Sequence, residues 1–291
     1  MNYTLKNDHL TVTISSRGGE IISIKSVAGI EYLWQADEAY WNEHAPHLFP
    51  YVGRFFDGKY KMDGKICEMG IHGFFRFQEM TLEEQTDSRL VLSLSSDEQT
   101  LKEYDRSFKV SLIHELQDDT LSISFQVENK DTRTMYFGYG GHPGFNVPLT
   151  ENEQFEDYYL EFASECQPVV IGFSDTCFLQ GAHTPLPLEK DRILPLRHNL
   201  FDHDAIVMRN MTQEVSLKSR TCPHGVTVRF PQMPYLGIWH KPHTKAPYVC
   251  IEPWVSLPSR QDVIEEFESK MDMVVVAPEK TYKNKWEISI F

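Results

Sequence analysis

The sequence predicts an all-β sandwich, and three observations carry that prediction. Short segments alternate apolar and polar residues, turn residues close each of them, and stretches with helical spacing are few. Strict alternation marks a strand with one face buried and one face wet. Strands set close together without intervening helices pack sheet on sheet, not as a parallel sheet with crossover helices.

Taken in order, residues 10–14 (Leu-Thr-Val-Thr-Ile) alternate, and Gly18-Gly19 turns the chain into residues 21–24. Residues 90–94 and 108–113 follow, then 121–127, which stop at Glu128-Asn129-Lys130-Asp131. The later strands are expected at 215–217, 226–230 and 286–290. Helical spacing is confined to three short stretches, residues 38–43, 100–104 and 262–268. Sixteen prolines and sixteen glycines are spread evenly, so no linker stands out, and residues 1–291 are expected to form one domain. All-β folds of more than about 200 residues commonly form a single unit.

A net charge of −14 opposes phosphate backbones and anionic lipid, so neither nucleic acid nor a membrane is an expected partner. Five scattered cysteines without a CxxC pair fit free thiols in a reducing compartment. The first residues lack a charged segment followed by an apolar one, and no apolar run approaches about 18 residues. A cytoplasmic protein is expected, as a monomer or weak homodimer.

Three islands interrupt the alternation with Gly, Pro, His and Arg. The first comprises Phe49-Pro50-Tyr51-Val52-Gly53-Arg54 and Gly70-Ile71-His72-Gly73-Phe74-Phe75-Arg76. The second is Tyr139-Gly140-Gly141-His142-Pro143-Gly144-Phe145-Asn146, and the third runs from Tyr248 through Glu252-Pro253-Trp254 to Pro258. Glu252 follows the apolar run Val249-Cys250-Ile251, at the expected end of a buried strand whose exit Pro253 fixes. A carboxylate there loses hydration, and its pKa rises from about 4.3 toward a value useful for a base. The same placement also suits a glutamate that caps a strand or pairs with an arginine. His142 and His72 sit in glycine turns, which serve equally for an aimed imidazole and for an ordinary loop residue.

Two His-x-x-His spacings, His44/His47 and His240/His243, superficially suit a metal. Each contains proline, which opposes the helix that would bring both rings to one face, and no cysteine or carboxylate cluster stands beside them in sequence. No metal and no cofactor is expected. Nucleotide-binding glycine loops and a Gly-x-Ser-x-Gly elbow are missing from the sequence.

At these islands the sequence resembles the aldose 1-epimerase (galactose mutarotase) family, in its smaller bacterial branch of mutarotase-like proteins. The matching text is Gly53-Arg54, Ile71-His72-Gly73-Phe74 with Arg76, Gly141-His142-Pro143-Gly144-Phe145, and Leu236-Gly237-Ile238-Trp239 leading to Ile251-Glu252-Pro253-Trp254. The motifs stand in the family's order, and the resemblance covers nearly the whole chain. It implies a large antiparallel β-sandwich, the galactose mutarotase-like supersandwich, with a sugar on one concave face. By the same resemblance Glu252 is the catalytic base, His142 the general acid, and His72 a second histidine near the ring oxygen. Arg54 and Arg76 would bind substrate, and so would an aspartate near residues 201–205, for which Asp204 is preferred over Asp202. Two positions depart from the family pattern: Gly144 stands where a larger residue is usual, and His240, expected at the pocket rim, where many relatives have Thr.

The implied reaction is interconversion of the α and β anomers of a free aldose. It needs one base for the C1 hydroxyl and one acid for the ring oxygen. Glu252 as carboxylate and His142 as imidazolium meet that need, and the carboxylate is expected to push His142 above its usual value near 6.5. A hexose-6-phosphate 1-epimerase, with Arg54 and Arg76 clamping the phosphate, is the nearest alternative. A non-catalytic carbohydrate-binding protein on the same scaffold is the other. A glycosidase would need a second carboxylate across the bond, about 5–9.5 Å away.

Overall fold

Alternation in sequence becomes alternation in burial. In the computed structural model, which describes residues 1–291, Thr120–Asn129 buries every second side chain, and its neighbour Phe108–Gln117 does the same. They pair antiparallel with Leu121 opposite Leu116 and Phe125 opposite Leu112, so the apolar face is continuous across them. A slip of one residue would turn that face to solvent, so burial fixes the register. Every alternating segment named above lies in a strand, with Phe230 one residue past the end of its own.

The larger sheet has nine antiparallel strands, with Thr81–Gln85 at one edge and Ile193–Pro195 at the other. Its long centre is formed by Thr281–Ile290, Thr120–Asn129 and Phe108–Gln117. The second sheet runs from Thr184–Pro185 through Val169–Val170, Ile206–Arg209, Tyr235–Trp239, Tyr248–Trp254 and Gly140–Gly141 to His47–Leu48. Gly144–Asn146 pairs with Tyr248–Trp254 as well. Val249, Ile251, Leu236 and Ile238 of this sheet share one apolar cluster with Phe125, Ile123, Val228 and Trp286 of the larger one. The fold is therefore the large antiparallel sandwich expected from the sequence. No helix is long and apolar enough to cross a membrane.

The strand that matters most is Tyr248–Trp254, where all seven residues are buried. Val249 and Ile251 point into the core between the sheets. Tyr248, Cys250, Glu252 and Trp254 alternate with them and therefore face the other side. That side is covered by loops, so the outer face of the second sheet becomes a walled site.

Two expected helices do not form. Residues 38–43 make only a turn, closed by Tyr40 and Trp41 N–H groups on the Asp37 carbonyl, after which the chain extends. The carboxylate of Glu20 then takes the His44 and Ala45 amides, at 2.7 and 3.0 Å, in place of helical partners. Residues 262–268 bridge to the strand Lys59–Met62 through Lys61 N–H to Glu265 O and Phe267 N–H to Lys61 O. Backbone pairing with a neighbour satisfies those groups better than a single isolated turn. The third stretch does turn helical, over Thr100–Glu103.

Candidate active site

One pocket gathers all six residues singled out from the sequence: Arg54, His72, Arg76, His142, Asp204 and Glu252. Its wall adds Trp41, Trp239 and Trp254, and a carboxylate that sequence reasoning missed, Glu43.

Glu252 lies within its strand, two residues from the end, and Pro253 continues the strand instead of fixing its exit. It stands opposite Gly237, where an added Cβ would lie 3.4 Å from the Cβ of Glu252. Only 1% of the residue is exposed. Burial, with the Asp204 charge behind it, lifts its carboxyl well above the ordinary value.

His142 is brought to Glu252 by backbone pairing. Gly140 and Gly141 pair with Leu48 and His47, and the His142 N–H donates to the Pro46 carbonyl. Gly141 has no alternative in this packing, because a Cβ there would sit 2.7 Å from the Trp286 ring. Nε2 of His142 then lies 3.2 Å from Oε2 of Glu252. Trp41 covers the imidazole, with ring centroids 4.8 Å apart, and Trp239 meets it edge-on at 5.9 Å. The unusual Gly144 is what admits that tryptophan: a Cβ at 144 would meet the Trp41 ring at 3.0 Å.

The expected upward push on His142 does not occur. Burial removes hydration that an imidazolium needs, and holds the ring down to about 3. The same loss of hydration keeps the proton on Glu252. A neutral imidazole beside a carboxylic acid and an imidazolium beside a carboxylate hold the same number of protons. They differ by one proton moved along the Nε2–Oε2 axis, so the two groups titrate as a unit.

His72 is tied differently. Its backbone takes φ +64°, and the Gly53 N–H donates to its Nδ1 at 3.0 Å. Nδ1 is therefore an acceptor and the proton sits on Nε2. Burial first, then the charges of His142, Arg76 and Arg54, hold the ring well below its ordinary value, so it is neutral. Gly53 itself takes φ +75°, and a Cβ there would meet Pro258 Cγ at 2.4 Å, so the turn carrying Arg54 accepts only glycine.

Asp204 lines the pocket, whereas Asp202 points to His243, 3.4 Å away, and does not line it. Its Oδ1 accepts the Ala205 N–H at 2.8 Å, and the Cys177 thiol donates to Oδ2 at 3.0 Å. Arg54 is exposed and makes no ion pair. Arg76 donates through Nη1 to both carboxylate oxygens of Glu43, at 3.0 and 2.7 Å.

The two His-x-x-His pairs are split. His47 and His240 are fully buried, with His240 bonded to His198 at 3.1 Å, while His243 is 74% exposed at its side chain. His240 is thus packed beneath the surface and is not part of the pocket rim. The structure does bring ligand atoms of His142, Cys250 and Glu252 within 4.8 Å of one another, a juxtaposition invisible in sequence spacing. Burial and the Glu252 charge push the Cys250 thiol well above its ordinary value, so the thiolate that a metal would need is disfavoured. His142 and Glu252 are meanwhile engaged with each other.

Known proteins share the fold along the whole chain. The family model described as aldose 1-epimerase matches residues 1–289. The chromosomal protein LacX of Lactococcus lactis subsp. lactis is 36% identical over 298 residues, spanning 100% of this chain and 99% of its own. The structure of a galactose mutarotase related enzyme from Lactobacillus acidophilus superposes with a TM-score of 0.96 at 34% identity, over 100% of this chain and 97% of that one. A galactose mutarotase-like protein from Lactobacillus casei ATCC 334 gives 0.93 at 28% identity, with both chains covered completely.

Proposed function

The chain belongs to the aldose 1-epimerase family, and we propose that it interconverts the α and β anomers of a free aldose. The observation that carries this reading is the His142–Glu252 contact of 3.2 Å inside an aromatic pocket. A cavity of about 240 Å³ supports it. Ligand sites run to roughly 300–1,000 Å³, so this one suits a single sugar ring better than a chain.

In the forward direction Glu252, as carboxylate, accepts the proton of the C1 hydroxyl. His142 donates the Nε2 proton to the ring oxygen as the bond from C1 to that oxygen breaks. The product is the open-chain aldehyde; rotation about the C1–C2 bond presents its other face, and the same two transfers reversed close the ring. The cycle starts from the arrangement with the shared proton on Nε2 and returns to it, with no net proton exchanged with solvent. Each positioned acid or base contributes roughly 10²–10⁴-fold.

The other residues hold the ring. His72, fixed as a neutral Nε2–H donor by Gly53, hydrogen-bonds the oxygen side of the ring. Asp204 accepts from hydroxyls and Arg54 donates to them. Trp41, Trp239 and Trp254 offer flat apolar walls to the C–H faces of the sugar. Exchange NMR on glucose and galactose tests the reading: the protein is expected to speed anomer exchange above the spontaneous rate. Binding of these sugars without faster exchange would favour a carbohydrate-binding protein instead.

A further inference from the structure

We propose that the Glu43–Arg76 pair makes this site select neutral over phosphorylated sugars, so that Glu43 is a specificity-determining residue. The inference rests on the reading of the site as an anomer-exchanging sugar pocket, and names what that pocket refuses.

The charge inventory comes first. The pocket presents two guanidinium groups, Arg54 and Arg76, against two carboxylates, Glu43 and Asp204, while Glu252 shares one proton with His142 and that pair carries no net charge. His72 adds no positive charge, because burial keeps its ring neutral. His203 and Cys177 complete the titratable lining. A phosphate dianion needs a surplus of cationic donors, in the geometry that a guanidinium fork supplies.

Arg76 is the group best placed to supply that fork, and it is occupied. Its Nη1 is shared by both oxygens of Glu43. Its Nη2 reaches the Ile71 carbonyl at 3.4 Å, and its guanidinium carbon sits 4.6 Å from the centre of the Phe77 ring. Its Nε is buried without a partner. No edge of the fork is both free and open. A phosphate bound there would have to displace Glu43 and then lie beside the displaced carboxylate.

The location follows from sugar geometry. Carbon 6 hangs from the carbon next to the ring oxygen, and His72 is the histidine on the ring-oxygen side. Both Arg54 and Arg76 lie close enough to His72 for their charges to act on its ring. A 6-phosphate would therefore meet these two arginines, one exposed and one already neutralised. Half of a phosphate clamp is present, and Glu43 keeps the other half closed.

The test compares glucose with glucose 6-phosphate, by exchange NMR above the spontaneous rate, for wild type and Glu43→Gln. Glutamine keeps the shape of the side chain and removes its charge. The ratio of kcat/KM, phosphorylated over free, is expected to rise at least about tenfold, the scale of one gained charge-assisted hydrogen bond. Adding Arg76→Met to Glu43→Gln is expected to reverse that gain. Inorganic phosphate should inhibit the single variant competitively and leave wild type unaffected; the wild-type arm needs no folded variant. A ratio within twofold of wild type, a wild type that prefers the 6-phosphate, or phosphate competition in wild type would overturn the inference. If no form of the protein accelerates exchange of any aldose, the proposed activity has failed. Calorimetric binding of inorganic phosphate then decides the selectivity separately: tighter binding by Glu43→Gln supports it, and equal binding overturns it.

Discussion

Nε2 of His142 and Oε2 of Glu252 lie 3.2 Å apart, Glu252 inside the strand Tyr248–Trp254 and His142 in the short link between Gly140–Gly141 and Gly144–Asn146, both of which pair with that strand. Both residues are nearly or fully withdrawn from solvent, at 8% and 1% exposure. That pairing makes Glu252→Gln a sharp substitution. Glutamine fills the same space and accepts a hydrogen bond, but cannot take a proton. The anomer exchange rate at saturating sugar is expected to fall at least about 100-fold with an unchanged circular dichroism spectrum. Retention of more than a tenth of the wild-type rate would remove Glu252 from the role of base.

Gly141→Ala tests how tightly the catalytic loop is packed. The new methyl would meet the indole of Trp286, itself 1% exposed, at 2.7 Å. Overpacking of this kind costs about 1–3 kcal/mol. The urea midpoint is expected to drop accordingly, and the exchange rate with it, since the residue that moves next is His142. An unchanged midpoint would mean that the loop yields freely and that the placement of His142 is not enforced by packing.

His114 gives a pH dependence of stability that is independent of the site. It is wholly buried, neither ring nitrogen has a partner, and burial and the nearby His47 hold its pKa down to about 3. Unfolded, it takes a proton near 6.5. Between those values the unfolded chain holds more protons, so stability is complete above about pH 6.5 and declines as pH falls toward 3. At pH 5 the deficit from this one group is roughly 2 kcal/mol. His114→Leu is expected to shrink the difference in unfolding free energy between pH 8 and pH 5 by that amount. Parallel losses in variant and wild type would show that the proton goes elsewhere.

The strands were legible because their signal is local. Residues 121–127 and 108–113 carry their alternation in consecutive letters, and burial of one face enforces it. Gly140–Gly141 and His47–Leu48 are strands of two residues each, defined only by partners far along the chain, and no local pattern marks them. The same division runs through the site. Arg54, His72, His142 and Glu252 sit in glycine- and proline-rich islands that break the alternation, and the family resemblance assigned their roles. Glu43 and Trp41 sit in a stretch whose spacing suggested a helix. Their place in the pocket depends on Glu20 capturing the amides that follow, a contact with no local trace. The downward shift of His142 was hidden for a similar reason, since its burial depends on Trp41 and Trp239 closing over it.

The last prediction separates the two histidines. His72 receives the Gly53 N–H on Nδ1, so a second ring proton would set N–H against N–H and break that bond. It can donate a hydrogen bond through Nε2 but cannot cycle through an imidazolium. His142 is not restricted in this way: Nε2 faces Glu252, and Nδ1 accepts from no backbone donor. His142→Asn should therefore lower kcat by roughly 10²–10⁴-fold, whereas His72→Asn should act mainly on KM. The wild-type rate on a neutral sugar should hold a plateau across the range in which the pair keeps its one shared proton. The pair gains an extra proton only well below the usual histidine value and loses its shared proton only above the usual carboxylate value. In His142→Asn the residual rate should rise with pH as Glu252 ionises alone, because a carboxyl held high by burial is the only titrating member left. If His72→Asn produces that rising profile and His142→Asn leaves the plateau intact, the acid is His72, and its bond to Gly53 opens during the reaction.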